Sequence, residues 1–70
     1  MEKGRIKFYN SKKGYGFIIT EDNDEIFFHV SDFLDKVDDN RILEDVNVSF
    51  EKGFGRSGDK AIKIQILEDK

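Results

Sequence analysis

Aromatic side chains are the largest group of residues in this sequence with recognisable binding chemistry. Of its seven phenylalanines and two tyrosines, seven lie between residues 8 and 33, and Lys7, Lys13 and His29 are interspersed among them. Flat rings stack on unpaired nucleic-acid bases, and nearby ammonium groups attract the phosphates that join those bases. The alternative is that the rings are ordinary core residues. That is the better interpretation for one isolated aromatic, but the weaker one for several rings on one strand face beside lysines.

Other kinds of chemistry find little support in the residue types. The chain has no cysteine and a single histidine, which excludes a thiolate nucleophile, a disulfide framework and a multi-histidine metal site. His29 could act as a general base, but no serine, cysteine or carboxylate constellation accompanies it. The acidic residues at 22–25 lack the spacing of a calcium-binding loop and indicate a solvated turn. We therefore predict a protein that is not an enzyme and holds no metal or cofactor.

The charge of the chain is unevenly distributed. Its net charge is −3, yet residues 1–20 carry +4, residues 21–51 carry −9 and residues 52–70 carry +2. A fold that joins the two ends would create a basic face on an acidic protein. There is no apolar run of the length that a membrane helix needs and no apolar start typical of a secretory signal. The expected location is the cytoplasm, without membrane contact.

Five short segments have the alternation or the β-branched and aromatic content of strands. These segments are residues 5–8, 15–20, 26–30, 46–50 and 61–66. Residues 10–14, 21–24 and 53–59 have turn-like composition. The spacing of Phe33, Leu34 and Val37 predicts a short helical turn inside a long connection over residues 32–45.

Alternation also predicts which side chains share a face of the second and third strands. The face that contains a histidine is the poorer core candidate, so Ile26, Phe28 and Val30 are expected to point inward. If the two strands pair, the opposite face forms one exposed platform of Tyr15, Phe17, Phe27 and His29.

Five strands without a substantial helix favour a small closed barrel, because closure removes exposed sheet edges. The strand count fits the OB barrel and an SH3-like barrel equally well. We expect one domain over residues 1–70, with residues 68–70 frayed.

Longer motifs narrow the choice of family. Residues 13–18, K-G-Y-G-F-I, match the first six positions of an RNA-recognition consensus with Ile for Val, although an RNA-recognition motif proper needs two helices. Y-G-F-I at residues 15–18 is followed, after six residues, by E-I-F-x-H-x-S-x-F at residues 25–33. G-R-I-K-F-Y-N at residues 4–10 and V-S-F at residues 48–50 extend the pattern. Over nearly its whole length the chain resembles the cold-shock domain family.

The resemblance implies an all-β fold, a five-stranded antiparallel barrel of the OB type, that binds single-stranded RNA and DNA. We expect the protein to be a monomer that acts as an RNA chaperone. The family's binding positions correspond here to Lys7, Phe8, Lys13, Tyr15, Phe17, Phe27, His29 and Lys60. Its core positions correspond to Ile6, Ile18, Ile26, Phe28, Val48 and Ile64. Phe8 stands where the family usually has Trp, and Val30 stands where a base-stacking Phe is usual.

Two other functions stay open on the sequence alone. The aromatic platform could dock a partner peptide, or the barrel could be a translation-associated OB domain. The salt dependence of oligonucleotide binding distinguishes a nucleic-acid site from a peptide groove, because binding that includes phosphate contacts weakens as the salt concentration rises. Phe54, in the glycine-rich segment near residue 55, is a further candidate for the aromatic surface.

Overall fold

Five strands close into a barrel in the computed structural model, which describes residues 1–55 and 58–67. The strands are β1 (Glu2–Asn10), β2 (Tyr15–Thr20), β3 (Glu25–His29), β4 (Asn47–Gly55) and β5 (Gly58–Ile66). Their order around the barrel is β1-β2-β3-β5-β4. This architecture confirms the predicted OB-type fold class. The predicted fraying of residues 68–70 lies outside the described residues.

The barrel has five contacts between neighbouring strands, which we call seams. Four of them are antiparallel ladders, and the fifth is short and parallel. β1 pairs with β2 and β4, β2 with β3, and β4 with β5, all antiparallel. β3 meets β5 in parallel through a single pair, Phe27 with Lys60. An isolated bridge between Phe33 and Ile64 continues that contact, and the Leu34 N–H donates to the Ile64 carbonyl at 3.0 Å. The β3–β5 seam therefore has the fewest paired residues.

The core is built from the inward-facing side of each strand. All six predicted core residues are buried, and Phe28, Ile18, Val48 and Ile64 are fully enclosed. Phe33, Ile42, Phe50 and Ala61 complete the cluster, with Val30 packed against its edge. Burial of large apolar side chains supplies the main driving force for folding in a domain of this size.

A β-bulge in β1 decides where the aromatic residues of that strand point. The register passes from Ile6 opposite Ile18 to Phe8 opposite Phe17, so Lys7 is the extra residue. Strict alternation would put Phe8 on the same side as Ile6. A bulge shifts the alternation by one residue. Ile6 consequently stays in the core, while Lys7 and Phe8 are both exposed. Tyr9 turns back and stacks on Phe28, with a ring separation of 5.9 Å.

Side-chain hydrogen bonds fix the two turns beside β2. The Asn10 side-chain oxygen accepts from the backbone N–H groups of Lys12 and Lys13, at 3.0 and 3.2 Å. The Thr20 hydroxyl oxygen accepts from the N–H groups of Asp22 and Asp24, at 3.2 and 3.1 Å. Such local bonds hold turns that the strands alone would not specify. They stabilise the β1–β2 and β2–β3 connections.

Two details of the predicted connections are wrong. Residues 33–37 form no helical turn; short 3-10 helices lie instead at Val30–Asp32 and Asp39–Arg41. Phe33 is drawn into the β3–β5 seam, and this tertiary contact overrides its local helical spacing. The predicted turn over residues 53–59 is shorter than expected, because β4 extends to Gly55 and β5 begins at Gly58.

In the described part of the chain, no helix is long or apolar enough to cross a membrane.

Candidate nucleic-acid interface

Four aromatic side chains touch one another on the outer face of β1, β2 and β3; we call them the ring cluster. They are Phe8, Tyr15, Phe17 and Phe27. Tyr15 lies at its centre, with ring centroids 6.1 Å from Phe8, 6.4 Å from Phe17 and 5.8 Å from Phe27. The Tyr15 and Phe27 rings are within 21° of parallel, while the other contacts are edge-to-face. Stacked and edge-to-face pairs at these distances are favourable contacts between aromatic rings.

The strand register explains why these rings meet. Phe17 is directly opposite Phe27, and Tyr15 is directly opposite His29. Phe8 is opposite Phe17 on the other side of β2, because of the bulge at Lys7. Phe8 is 43% exposed, and the other ring-cluster residues and His29 are half-buried. The predicted platform of rings on β2 and β3 therefore exists, and β1 adds a ring to it.

His29 is held in a defined orientation at the end of β3. The backbone N–H of Ser31 donates to His29 Nδ1 at 3.1 Å, and the Ser31 hydroxyl oxygen lies 2.9 Å from the same nitrogen. A nitrogen that accepts a hydrogen bond carries no proton, so the neutral ring has its hydrogen on Nε2. His29 therefore offers a flat ring and an Nε2–H donor beside Tyr15.

The two lysines nearest the rings differ in their surroundings. Lys7 Nζ lies 2.6 Å from Glu25 Oε2, across the outer face of the sheet. The Lys13 side chain is exposed in the turn before β2, and the described ranges contain no ion pair to it. A phosphate that approaches Lys13 meets an uncompensated charge, whereas one that approaches Lys7 competes with a carboxylate.

The two glycines of the K-G-Y-G-F-I segment have structural roles. Gly14 has φ +75°, a conformation that suits glycine, and a Cβ there would lie 3.4 Å from the His29 ring. A glycine between two rings leaves room for a base or for backbone, and at Gly16 backbone takes that room. A Cβ at Gly16 would overlap the Phe8 carbonyl oxygen and come within 2.8 Å of the Phe28 ring. Gly16 lets β1 and the core approach β2 closely.

A groove of about 460 Å³ adjoins the ring cluster on the β5 side. Phe27, His29 and Ser31 form one wall, and residues of the β4–β5 hairpin, including Lys60 and Asp59, form the other. Lys60 lies beside Phe27 because the two residues are paired across the seam. The structure thus brings seven of the eight predicted binding residues to one continuous face of β1, β2, β3 and β5, and Lys13 borders it from the turn.

Sequence reasoning did not anticipate the acidic and hydroxyl partners of these residues. Glu25 faces Lys7, Asp32 faces Lys60 at 3.2 Å, and Ser31 binds His29. The local signal for Ser31 is its position two residues after His29, whereas the two carboxylates are brought in by strand pairing. Phe54 is 87% exposed on β4, and among the described rings it contacts none of the ring cluster.

The described residues contain no group of three or more histidine or carboxylate side chains that could hold a metal ion. What remains is a face of flat rings, one imidazole donor and a few lysines. The fold and this face define a class of protein: a small OB-type β-barrel with an aromatic surface suited to unpaired bases.

Comparisons with known proteins agree with this class. The 'Cold-shock' DNA-binding domain family matches residues 2–67. A cold shock-like protein CspA of Bordetella pertussis is 40% identical over 68 residues, covering 96% of this chain and all of that protein. The retron Se72 cold shock-like protein of Salmonella heidelberg is 40% identical over 65 residues, covering 93% of this chain and 97% of that protein. Cold shock protein CspC of Bacillus subtilis is 35% identical over 69 residues, covering 93% and 97%.

The chain therefore belongs to the cold-shock domain family. Members of this family bind nucleic acid and are not enzymes, and this protein is a nucleic-acid-binding protein of the cold-shock type.

Proposed function

We propose that the protein is an RNA chaperone that captures unpaired bases on the ring cluster. The observation that carries this proposal is the contact of four partly exposed rings across three strands, with centroids 5.8–6.4 Å apart. Each base that stacks on such a ring contributes about 1–3 kcal/mol, whatever its identity. Binding to the open strand shifts the equilibrium of an RNA hairpin by mass action, so no energy source is needed.

The proposed binding residues are the ring cluster with Lys7, Lys13, His29 and Lys60. Stacking uses the faces of bases, which RNA and single-stranded DNA share, so both are proposed ligands. The protein acts as a monomer in the cytoplasm, and a single barrel face is sufficient for the interaction.

Titration of a fluorescein-labelled heptanucleotide tests the proposal. RNA and DNA single strands are expected to bind with similar affinity, and an annealed duplex of equal length much more weakly, because stacking needs unpaired bases. A net charge of −3 gives little general attraction to duplex phosphates. Affinity should fall as salt rises, with a slope of about −0.7 for each phosphate contact. Equal affinity for duplex and single strand would refute single-strand capture, and no oligonucleotide binding at all would favour a peptide groove.

The chaperone activity needs its own assay. A hairpin RNA with a fluorophore and a quencher at its ends is expected to open as protein is added. Phe27→Ala should weaken this opening strongly, since it removes a ring from the cluster. Leu43→Ala is the matched control, because Leu43 is also an exposed apolar residue, at 57%, but lies outside this face. If both variants open the hairpin equally well, the ring cluster is not responsible for the chaperone activity.

A further inference from the structure

Asp32 and Lys60 form the least exposed of the ion pairs found among the described residues. The Asp32 side chain, in the 3-10 helix after β3, is 15% exposed, and the Lys60 side chain is 28% exposed. Asp32 Oδ2 is buried and accepts no hydrogen bond from a described residue, while Lys60 Nζ lies 3.2 Å from it. A carboxylate with one oxygen buried needs a compensating charge, and here the Lys60 ammonium supplies it.

This ion pair spans the seam of the barrel with the fewest backbone pairs. Lys60 is the single β5 residue paired with β3, and Asp32 immediately precedes Phe33, whose bridge to Ile64 continues the seam. The side-chain contact therefore joins the two short backbone contacts. It ties the beginning of β5 to the segment that follows β3.

The direction of the Lys60 side chain has a consequence for the groove beside the ring cluster. A Cβ at Gly55 would lie 3.1 Å from Lys60 Cδ, so the methylene stem runs close to the hairpin backbone. The same side chain lines the groove opposite Phe27 and His29. With the ammonium beside Asp32, the stem is the part of Lys60 available as an apolar wall.

We infer that Asp32 is a positioning residue. It holds the Lys60 ammonium away from the phosphates of a bound strand and orients the methylene groups of Lys60 toward a bound base. The inference rests on the proposed function. It goes beyond the resemblance, which implies only that Lys60 is one of the binding positions. A phosphate that took Lys60 would leave the largely buried Asp32 carboxylate unpaired, and this cost disfavours the exchange.

The salt dependence of oligonucleotide binding tests the inference, since a merely structural role would not change it. Lys60→Met keeps the apolar stem and removes the charge, so we expect the salt slope of binding to equal that of the unaltered protein. Asp32→Asn releases the ammonium, and the slope should steepen by about 0.7, one added phosphate contact. Lys13→Met is the positive control, with a slope shallower by about 0.7.

Protein stability is measured alongside binding. Lys60→Met leaves Asp32 unpaired and should lower the unfolding midpoint, and the double variant Asp32→Asn with Lys60→Met should recover part of that loss. The double variant contains no unpaired buried charge, so it serves if Lys60→Met fails to fold, and its slope should also equal that of the unaltered protein.

A shallower slope in Lys60→Met or in the double variant would overturn the inference, because Lys60 would then be a phosphate contact. An unchanged slope in Asp32→Asn would overturn it as well. If the unaltered protein binds no oligonucleotide, the proposed function fails and so does this role of Lys60. The unfolding midpoints would still show whether Asp32 and Lys60 are energetically coupled across the seam.

Discussion

Replacing Glu25 with glutamine is expected to tighten binding of single-stranded nucleic acid. In the free protein Lys7 Nζ lies 2.6 Å from Glu25 Oε2, and the two side chains are 50% and 49% exposed. A phosphate that binds Lys7 must displace this carboxylate and also approach its negative charge. Glu25→Gln removes both obstacles and keeps the size of the side chain.

The magnitude follows from the exposure of the pair. Ion pairs exposed to this degree contribute about 0–1 kcal/mol, because water screens them and two long side chains lose freedom. Releasing Lys7 should therefore strengthen binding by at most about fivefold, which corresponds to about 1 kcal/mol. The salt slope should steepen by up to about 0.7, as one lysine becomes a full phosphate contact. The unfolding midpoint should change little, since the pair lies on the surface.

Glu44→Gln is the matched control for this experiment. Glu44 is an exposed carboxylate in the connection before β4, outside the ring cluster, and its loss changes the net charge by the same amount. Anisotropy titrations of a labelled heptanucleotide at several salt concentrations compare the two variants. If Glu25→Gln and Glu44→Gln have the same affinity and slope, Lys7 is not restrained by Glu25 and the reasoning is refuted.

Four further substitutions test the separation of core and surface. Phe28→Ala should lower the free energy of unfolding by about 3–5 kcal/mol, because Phe28 is fully buried. Phe27→Ala should stay folded and lose about 1–3 kcal/mol of binding free energy. If unfolding curves and titrations show the reverse, the inward and outward faces of β3 are assigned the wrong way round. Phe8→Trp should leave the midpoint nearly unchanged, tighten binding by up to about 1 kcal/mol and give an indole emission that ligand quenches; a large fall in midpoint without quenching would put Phe8 inside. Gly16→Ala should lower stability by about 1–3 kcal/mol through overpacking against Phe8 and Phe28, and an unchanged midpoint would indicate open space there.

Much of the fold could be predicted from local sequence pattern. Alternation and β-branched content are properties of each strand alone, so all five strands and the buried faces of Ile18, Ile26 and Phe28 were identified correctly. The same alternation puts Tyr15 and Phe17 on one face of β2 and Phe27 and His29 on one face of β3, and the pairing of the two strands joins these faces. Three of the four rings of the ring cluster can therefore be assigned to one surface from the sequence.

Strand boundaries and the long connection were less predictable. Pairing between β4 and β5 extends these strands to Gly55 and Gly58, although the glycine-rich sequence alone indicates a turn. Phe33 has helical spacing with its neighbours but pairs with Ile64, which lies far along the chain. Local propensity was overridden in both places by partners that the local sequence does not contain.

The amino-acid sequence by itself determined that this protein is a small β-barrel with an aromatic face, because strand period and residue type are encoded residue by residue. Only the tertiary structure decided how that face is completed. The bulge at Lys7 turns Phe8 outward, and strand pairing brings Glu25 to Lys7 and Asp32 to Lys60. These features depend on the register between segments that are distant in the chain. A register shift of one residue would move each of these side chains to the opposite face of the sheet.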